Sequence, residues 1–164
     1  MTNEFDARDF RTAAGQFMTG VTVVTTLDAD GAPAGLTANS FTTVSLHPPM
    51  VLFCLGVDSA NLDAFEAGNG FVVHVLAAEQ QDLSQQFASK GIDRFDGVDW
   101  SPGRDGRPVL SGALATFDCD LAHTYDGGDH RIYVGRVMAL STGDTEAHAL
   151  GYFRGRYVAS SAEV

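Results

Sequence analysis

The chain opens on a helical period. Phe10, Ala13, Ala14, Phe17 and Met18 recur at i, i+3, i+4, i+7 and i+8, which places them on one face and predicts an amphipathic helix over Asp6 to Met18. After Gly20 the pattern becomes that of strands. Val21 to Leu27 is rich in the β-branched residues Val and Thr that suit a pleated surface. Asp28-Ala29-Asp30-Gly31 reads as a hairpin turn into Pro33 to Asn39, so the first two strands are expected to be antiparallel. Thr42 to Leu46 alternates polar and apolar positions. Beyond Pro48-Pro49, Met50 to Leu55 is apolar at every position, which predicts a central strand covered on both faces.

Ser59 or Asn61 is placed to cap a short helix through Glu66, and Gly68 to Gly70 interrupts it. Phe71 to Leu76 follows as a strand and Gln80 to Ser89 as a helix. Gly91 to Pro108 holds four glycines and two prolines and is expected to be a packed irregular loop anchored by Phe95, Val98 and Trp100. Two last strands, Ala113 to Tyr125 and His130 to Leu140, are joined by Asp126-Gly127-Gly128-Asp129. Ser160 to Val164 is expected to fray. Strands and helices do not alternate regularly, which disfavours a parallel sheet. The expected class is mainly β, an antiparallel β-barrel with α decorations, in one domain over residues 1–164.

Charge narrows the partners. Ten basic against 21 acidic residues give a formal net charge of -11, a surface that repels nucleic acid and anionic membranes. An anionic ligand then needs a local amide-lined or cationic pocket. The longest apolar or glycine run, Met50 to Val57, is too short to span a bilayer, and Met1 to Arg11 has no signal-peptide pattern, so a cytoplasmic location is expected. Cys54 and Cys119 stand 65 positions apart in apolar stretches and are expected to be buried free thiols. Phe5, Phe10, Phe17, Phe65, Phe71, Phe87 and Trp100 are expected in the core or an interface.

The sequence lacks both glycine-rich nucleotide loops, G-x-G-x-x-G and G-x-x-x-x-G-K-[ST], and has no G-x-S-x-G elbow. It has no zinc spacing either. The five histidines are scattered, with His123, Asp129 and His130 alone near one hairpin, and no metal is expected.

One stretch stands out. Gly35-Leu36-Thr37-Ala38-Asn39-Ser40-Phe41-Thr42-Thr43-Val44-Ser45-Leu46-His47-Pro48-Pro49 follows Thr19-Gly20-Val21-Thr22-Val23-Val24-Thr25-Thr26, and together they resemble the signature of the flavin reductase-like family. Ser59-Ala60-Asn61, Phe71 to Leu76, Phe87-Ala88, Asp93-Arg94-Phe95, Gly112 to Ala115, Gly128-Asp129-His130 and Tyr152 to Tyr157 extend the likeness in order, over about residues 10–158. Asn61, Thr43 and His74 depart from the usual threonine, serine and asparagine, each keeping polarity.

That resemblance implies a split β-barrel homodimer of the FMN-binding type, transferring hydride from NADH or NADPH to FMN or FAD and supplying reduced flavin to a separate monooxygenase reached by diffusion. It assigns flavin contacts to Thr37, Ala38, Asn39 and Ser40, where short side chains let backbone amides approach the ring edge, and to Cys54, Leu55 and Phe95. Ser59, Asn61, Lys90 and Arg94 become phosphate candidates. His130 is placed beside the arriving nicotinamide as the catalytic candidate, with Tyr152 and Arg154 as dinucleotide contacts. Plainer roles fit the same residues: a polar strand end at Thr37 to Ser40, a helix cap at Ser59, solvated charges at Lys90 and Arg94, a solvent-facing hairpin histidine at His130, and strand packing for Tyr152, Arg154 and Tyr157. Two other functions suit the same chain, a flavoprotein that keeps its FMN for electron transfer or a biosynthetic redox step, and a barrel that binds another ligand without catalysis.

Overall fold

The computed structural model describes residues 4–160. Three short helices, α1 (Ala7–Ala14), α2 (Leu62–Ala67) and α3 (Gln81–Ala88), decorate twelve strands. These are β1 (Thr19–Gly20), β2 (Thr22–Leu27), β3 (Pro33–Ala38), β4 (Thr42–Leu46), β5 (Pro49–Gly56), β6 (Gly70–Val75), β7 (Trp100–Pro102), β8 (Pro108–Leu110), β9 (Ala115–Gly127), β10 (His130–Thr142), β11 (Leu150–Phe153) and β12 (Arg156–Ala159). The fold is mainly β. Seven strands form one antiparallel sheet in the order β3-β2-β6-β9-β10-β5-β4, and they are the seven that the apolar pattern predicts. A three-stranded sheet β1-β11-β12 and the hairpin β7-β8 complete the set.

Local chemistry explains the turns. The Asp28 carboxylate accepts the backbone N–H groups of Asp30 and Ala32 at 2.9 and 2.8 Å, closing the first hairpin. At the β9–β10 turn Gly128 takes φ 72°, a conformation that costs glycine nothing. Asp6 caps α1 by accepting from the N–H groups of Arg8 and Asp9. That helix is shorter than the predicted Asp6 to Met18, and its apolar face meets no core: Phe5, Phe10, Phe17 and Met18 are all exposed.

The core lies on both faces of the large sheet. One cluster gathers Phe53, Phe65, Phe71 and Tyr133 inside the curl, with Phe53 and Tyr133 stacked at 5.2 Å. Burying rings of this size contributes roughly 2–3 kcal/mol each. A second cluster, including Val21, Val23, Leu76, Phe87 and Leu110, fills the space beneath α3 and the small sheets. The strands covered on both faces are therefore β2 and β6. β5, expected there, runs inside the ladder between β10 and β4, but only Val51, Phe53 and Leu55 are fully buried. No helix covers its other face, so Met50, Leu52 and Cys54 are half-buried. Cys119 is a buried thiol as expected, pushed up to about 12 by burial and then by Asp118, whereas Cys54 is only partly covered.

Two polar clamps were outside the reach of the pattern. His74 is fully buried; its Nδ1 bonds the Val23 carbonyl at 3.0 Å while its Nε2 accepts the Leu110 N–H at 3.0 Å. A carbonyl on one side and an N–H on the other require the neutral tautomer with hydrogen on Nδ1. Burial, offset in part by the Val23 carbonyl, lowers its pKa to about 4. Arg107, also buried, meets Asp118 at 2.8 Å, Asp120 at 3.4 Å and Asp105 at 3.5 Å, tying β7-β8 to β9. The predicted loop from Gly91 to Pro108 thus contains β7, and β8 begins at its last residue. Ser160 is tied to Ala149 by two hydrogen bonds, and the remainder of the expected fraying tail lies outside the described residues.

The large sheet is not a closed barrel. Its hydrogen-bonded ladder ends at β3 and β4, and the sheet curls until β3 approaches β5. There a side chain replaces the ladder: Ser40 Oγ accepts the Cys54 N–H at 2.9 Å and donates to the Cys54 carbonyl at 3.2 Å. Among the described residues no helix is long and apolar enough to cross a membrane.

Ser40→Ala removes both seam bonds, and a loss of about 1–3 kcal/mol in urea unfolding is expected, with faster hydrogen exchange at the Cys54 amide. For His74 the unfolded imidazole takes a proton near pH 6.5, before the folded one does. Its contribution to stability is complete above pH 6.5 and falls by on the order of 3 kcal/mol as the pH drops to 4. His74→Gln should lower Tm at pH 7, with the gap to the wild-type chain narrowing steadily toward pH 4.

Candidate functional site

Where the curled sheet fails to close, a groove opens. Its cavity of about 950 Å³ is walled by β3 and the Asn39-Ser40 link, the end of β5, the turn into α2, the end of α3 with the segment after it, and His130. Twelve of the residues assigned to the site by resemblance line this one cavity: Thr37, Ala38, Asn39, Ser40, Cys54, Leu55, Ser59, Asn61, Lys90, Arg94, Phe95 and His130. They come from five separate segments. Tyr152 lies outside it, against a side cavity of about 220 Å³ that shares Thr37, Asn39 and Ala88 with the groove. Arg154 lines neither; it forks onto Gln16 Oε1 at 2.7 and 3.0 Å and lies 4.8 Å from the Phe153 ring, holding the end of α1 to the β11–β12 turn.

Several polar groups at the groove already have protein partners. The Thr37 hydroxyl donates to the Ser84 carbonyl at 2.6 Å, and the Ser40 hydroxyl belongs to the seam. The Arg94 guanidinium donates to the carbonyls of Ser89 and Gly35, both at 2.9 Å, and burial lowers its pKa from the ordinary value. Phe95 packs edge-on against Phe87 and Trp100. Cys54 keeps its proton, since burial pushes its thiol upward more than the Ser40 hydrogen bond pulls it down.

The groups left over are at the two ends. Ser59 Oγ accepts the Asn61 N–H at 3.2 Å, which leaves its own hydrogen free to donate. Asn61 stands at the start of α2 without capping it, and its Nδ2 is buried with no acceptor among the described residues. Such a donor costs about 1–3 kcal/mol until an acceptor arrives. Lys90 is exposed and in no ion pair among the described residues. At the other end His130 Nδ1 meets Asp129 Oδ1 at 2.7 Å, and its Nε2 lies over Gly56. That hydrogen bond, and then the imidazole's charge, hold the Asp129 carboxyl below its usual range.

Gly35 sets the depth of the wall. A Cβ there would lie 2.9 Å from Phe87 Cε1 and 3.1 Å from the Val24 carbonyl, so only glycine lets α3 close onto β3. Sequence reasoning missed Asp28, Asp58, Asp63 and Asp93, which also line the cavity and give it an acidic border. The overall charge of -11 was the available signal. His123 sits four residues before the strand end at Gly127, roughly 13 Å from the turn, and the described residues hold no cluster of three metal-ligating side chains.

Comparison with known proteins adds lineage to this geometry. A probable flavin reductase of Rhizobium meliloti is 48% identical over 158 residues, covering 96% of this chain and 50% of that protein, so the chain spans about half the length of this relative. The reductase subunit HsaB of a flavin-dependent monooxygenase from Rhodococcus jostii is 47% identical over 93% of this chain and 77% of its own length. Among solved structures, an NADH:FAD oxidoreductase of Streptomyces globisporus in complex with NAD and FAD fragments superposes with a TM-score of 0.89 at 39% identity, over 95% of this chain and 93% of that one. The model of the flavin reductase like domain matches residues 14–161, and the chain belongs to that family.

Proposed function

We propose that the chain is an NAD(P)H:flavin oxidoreductase that reduces FMN or FAD and releases the reduced flavin to a separate monooxygenase. The observation that carries this reading is the groove itself. Its long wall is main chain and short side chains from Gly35 to Ser40, with Cys54 to Gly56 also lining it, and its two ends carry different polar groups. A planar heterocycle with acceptors along one edge suits such a wall. The orphaned Asn61 amide, the free Ser59 hydroxyl and the Lys90 ammonium suit a phosphate.

Bound in this way, flavin supplies N5 as the acceptor of the hydride that a reduced nicotinamide delivers. The protein's part is orientation and solvation. Asn39, exposed and shared by both cavities, borders the ring edge with its amide. His130 presents Nε2 over the open face, where it meets the nicotinamide carboxamide, while Asp129 fixes the ring through Nδ1. Tyr152 borders the side cavity and contacts the dinucleotide from there. No proton need be carried by a side chain for hydride transfer, and the protonated Cys54 thiol takes no covalent part.

Asn39, Lys90 and His130 are all exposed, so the groove opens to water along its length. This favours a flavin that enters and leaves as a substrate over one retained through many turnovers. We read the curled sheet as the split barrel that the resemblance implies. Phe17, Leu46 and Leu140 remain 76, 80 and 64% exposed, apolar side chains that cover by a second copy in a homodimer would suit. The two unpaired cysteines accord with a reducing, cytoplasmic setting.

The purified chain in catalytic amount, given NADH or NADPH with excess FMN or FAD, should consume nicotinamide absorbance; no turnover with any pairing overturns the proposal. Asn39→Phe should raise the flavin KM by roughly tenfold or more while the fold persists. His130→Ala should act mainly on the nicotinamide KM and the hydride step, leaving the flavin KM within about twofold. A defect confined to flavin would contradict that placement.

A further inference from the structure

Two cationic side chains line the groove, and they are not equivalent. Arg94 donates Nε to the Ser89 carbonyl and Nη1 to the Gly35 carbonyl, each at 2.9 Å. Those carbonyls belong to the end of α3 and to β3, the two elements between which the groove wall is stretched. Gln86 holds the same segment from the other side, donating Nε2 to the carbonyls of Arg94 and Asp96, both at 2.9 Å. The Asp93 carboxylate adds a turn bond to the Phe95 N–H. Lys90 directly follows Ser89 and has no ion-pair partner among the described residues.

We propose that Arg94 is a positioning residue for the flavin site, a strut that fixes the 89–96 segment on β3 and thereby aims Lys90, and that Lys90 alone supplies the cationic contact to the flavin phosphate. This rests on the flavin reading of the groove given above. A guanidinium reaches two carbonyls at once through a rigid planar fork, which an ammonium on a flexible stem cannot reproduce. Removing the fork loosens the wall for any flavin, phosphorylated or not. Removing the Lys90 ammonium is felt only by a ligand that carries the phosphate.

The test compares FMN with riboflavin, which lacks the phosphate, by quenching of flavin fluorescence. The wild-type chain should bind FMN at least about tenfold more tightly, the worth of one charge-assisted hydrogen bond. Lys90→Met should cut the ratio of the two Kd values severalfold by weakening FMN alone, the Ser59 and Asn61 donors keeping the remainder. Arg94→Met and Arg94→Lys should weaken both flavins by the same factor, roughly three- to tenfold, and leave the ratio as it was. Gln86→Ala, which keeps the guanidinium, should reproduce that uniform loss and guards against an Arg94 variant that does not fold. The inference is overturned if Arg94→Met collapses the ratio and Arg94→Lys restores it, if both Arg94 variants bind like wild type, or if the wild-type chain does not distinguish the two flavins. A wild-type chain that binds flavins with this pattern but oxidises no nicotinamide overturns the proposed activity and leaves the inference standing.

Discussion

The seam at Ser40 is the constraint on which the site depends. β4 pairs with β5 only as far as Leu52, so where the sheet curls without closing the N–H and C=O groups of β5 beyond that point must find other partners. Here one hydroxyl serves both the N–H and the C=O of Cys54. A full ladder between β3 and β5 would bring the strands to within about 4.8 Å and remove the space between them. A side-chain bridge at Ser40, in step with the β4–β5 pairing, holds the link after β3 against β5 and lets β3 diverge from β5 away from it. The groove is that divergence, and its wall is backbone because the sheet edge is backbone.

Electrostatics work against this groove before they work for it. A chain of net charge -11, with Asp28, Asp58, Asp63 and Asp93 around the cavity, repels phosphate at long range. Four of the other cations are engaged elsewhere. Arg104 and Arg107 are taken up by Asp118 and Asp120, Arg131 by Glu66 and Asp126, and Arg154 by Gln16. Affinity for an anion then has to come from contact, where directed donors outweigh a screened field beyond about 8 Å. The orphaned Asn61 amide and the unpaired Lys90 ammonium are donors of that kind.

The fold was legible where periodicity was strong. The strands of the large sheet show themselves by alternation, by Val- and Thr-rich runs, by the apolar run of β5 or, for β3, by the turn before it, and the β2–β3 and β9–β10 hairpins are marked by Asp and Gly. β11 and β12 were not separable, because four-residue strands on either side of Arg154 and Gly155 are too short to show a period. The apolar run of β5 misled for a physical reason: composition says that a strand is apolar on both faces but not whether anything covers the second one. α1 departs in the same way: it ends at Ala14, so Phe17 and Met18 of the predicted face lie beyond it, and no core covers Phe10. The clamps at His74 and Arg107 lay beyond the reach of periodicity, since His74 bonds Val23 and Leu110 from other elements and Arg107 meets Asp118 and Asp120 of β9 from a segment read as a loop.

At the site, resemblance names residues that the fold brings together but does not say which of their polar groups are already partnered. Twelve of the fourteen proposed residues converge on one cavity, yet the hydroxyls of Thr37 and Ser40 and the guanidinium of Arg94 are engaged with carbonyls or with the seam. A motif records which residue types a fold needs near a ligand, and those types serve two purposes at once. Some must hold irregular backbone in an energetically satisfied arrangement, because a groove made of main chain has polar groups to occupy before any ligand arrives. Others must stay unsatisfied so that a ligand can complete them. The two classes look alike in sequence, as Ser40 and Ser59 do, and only the inventory of donors and acceptors in three dimensions separates the side chains that build the groove from those that wait in it.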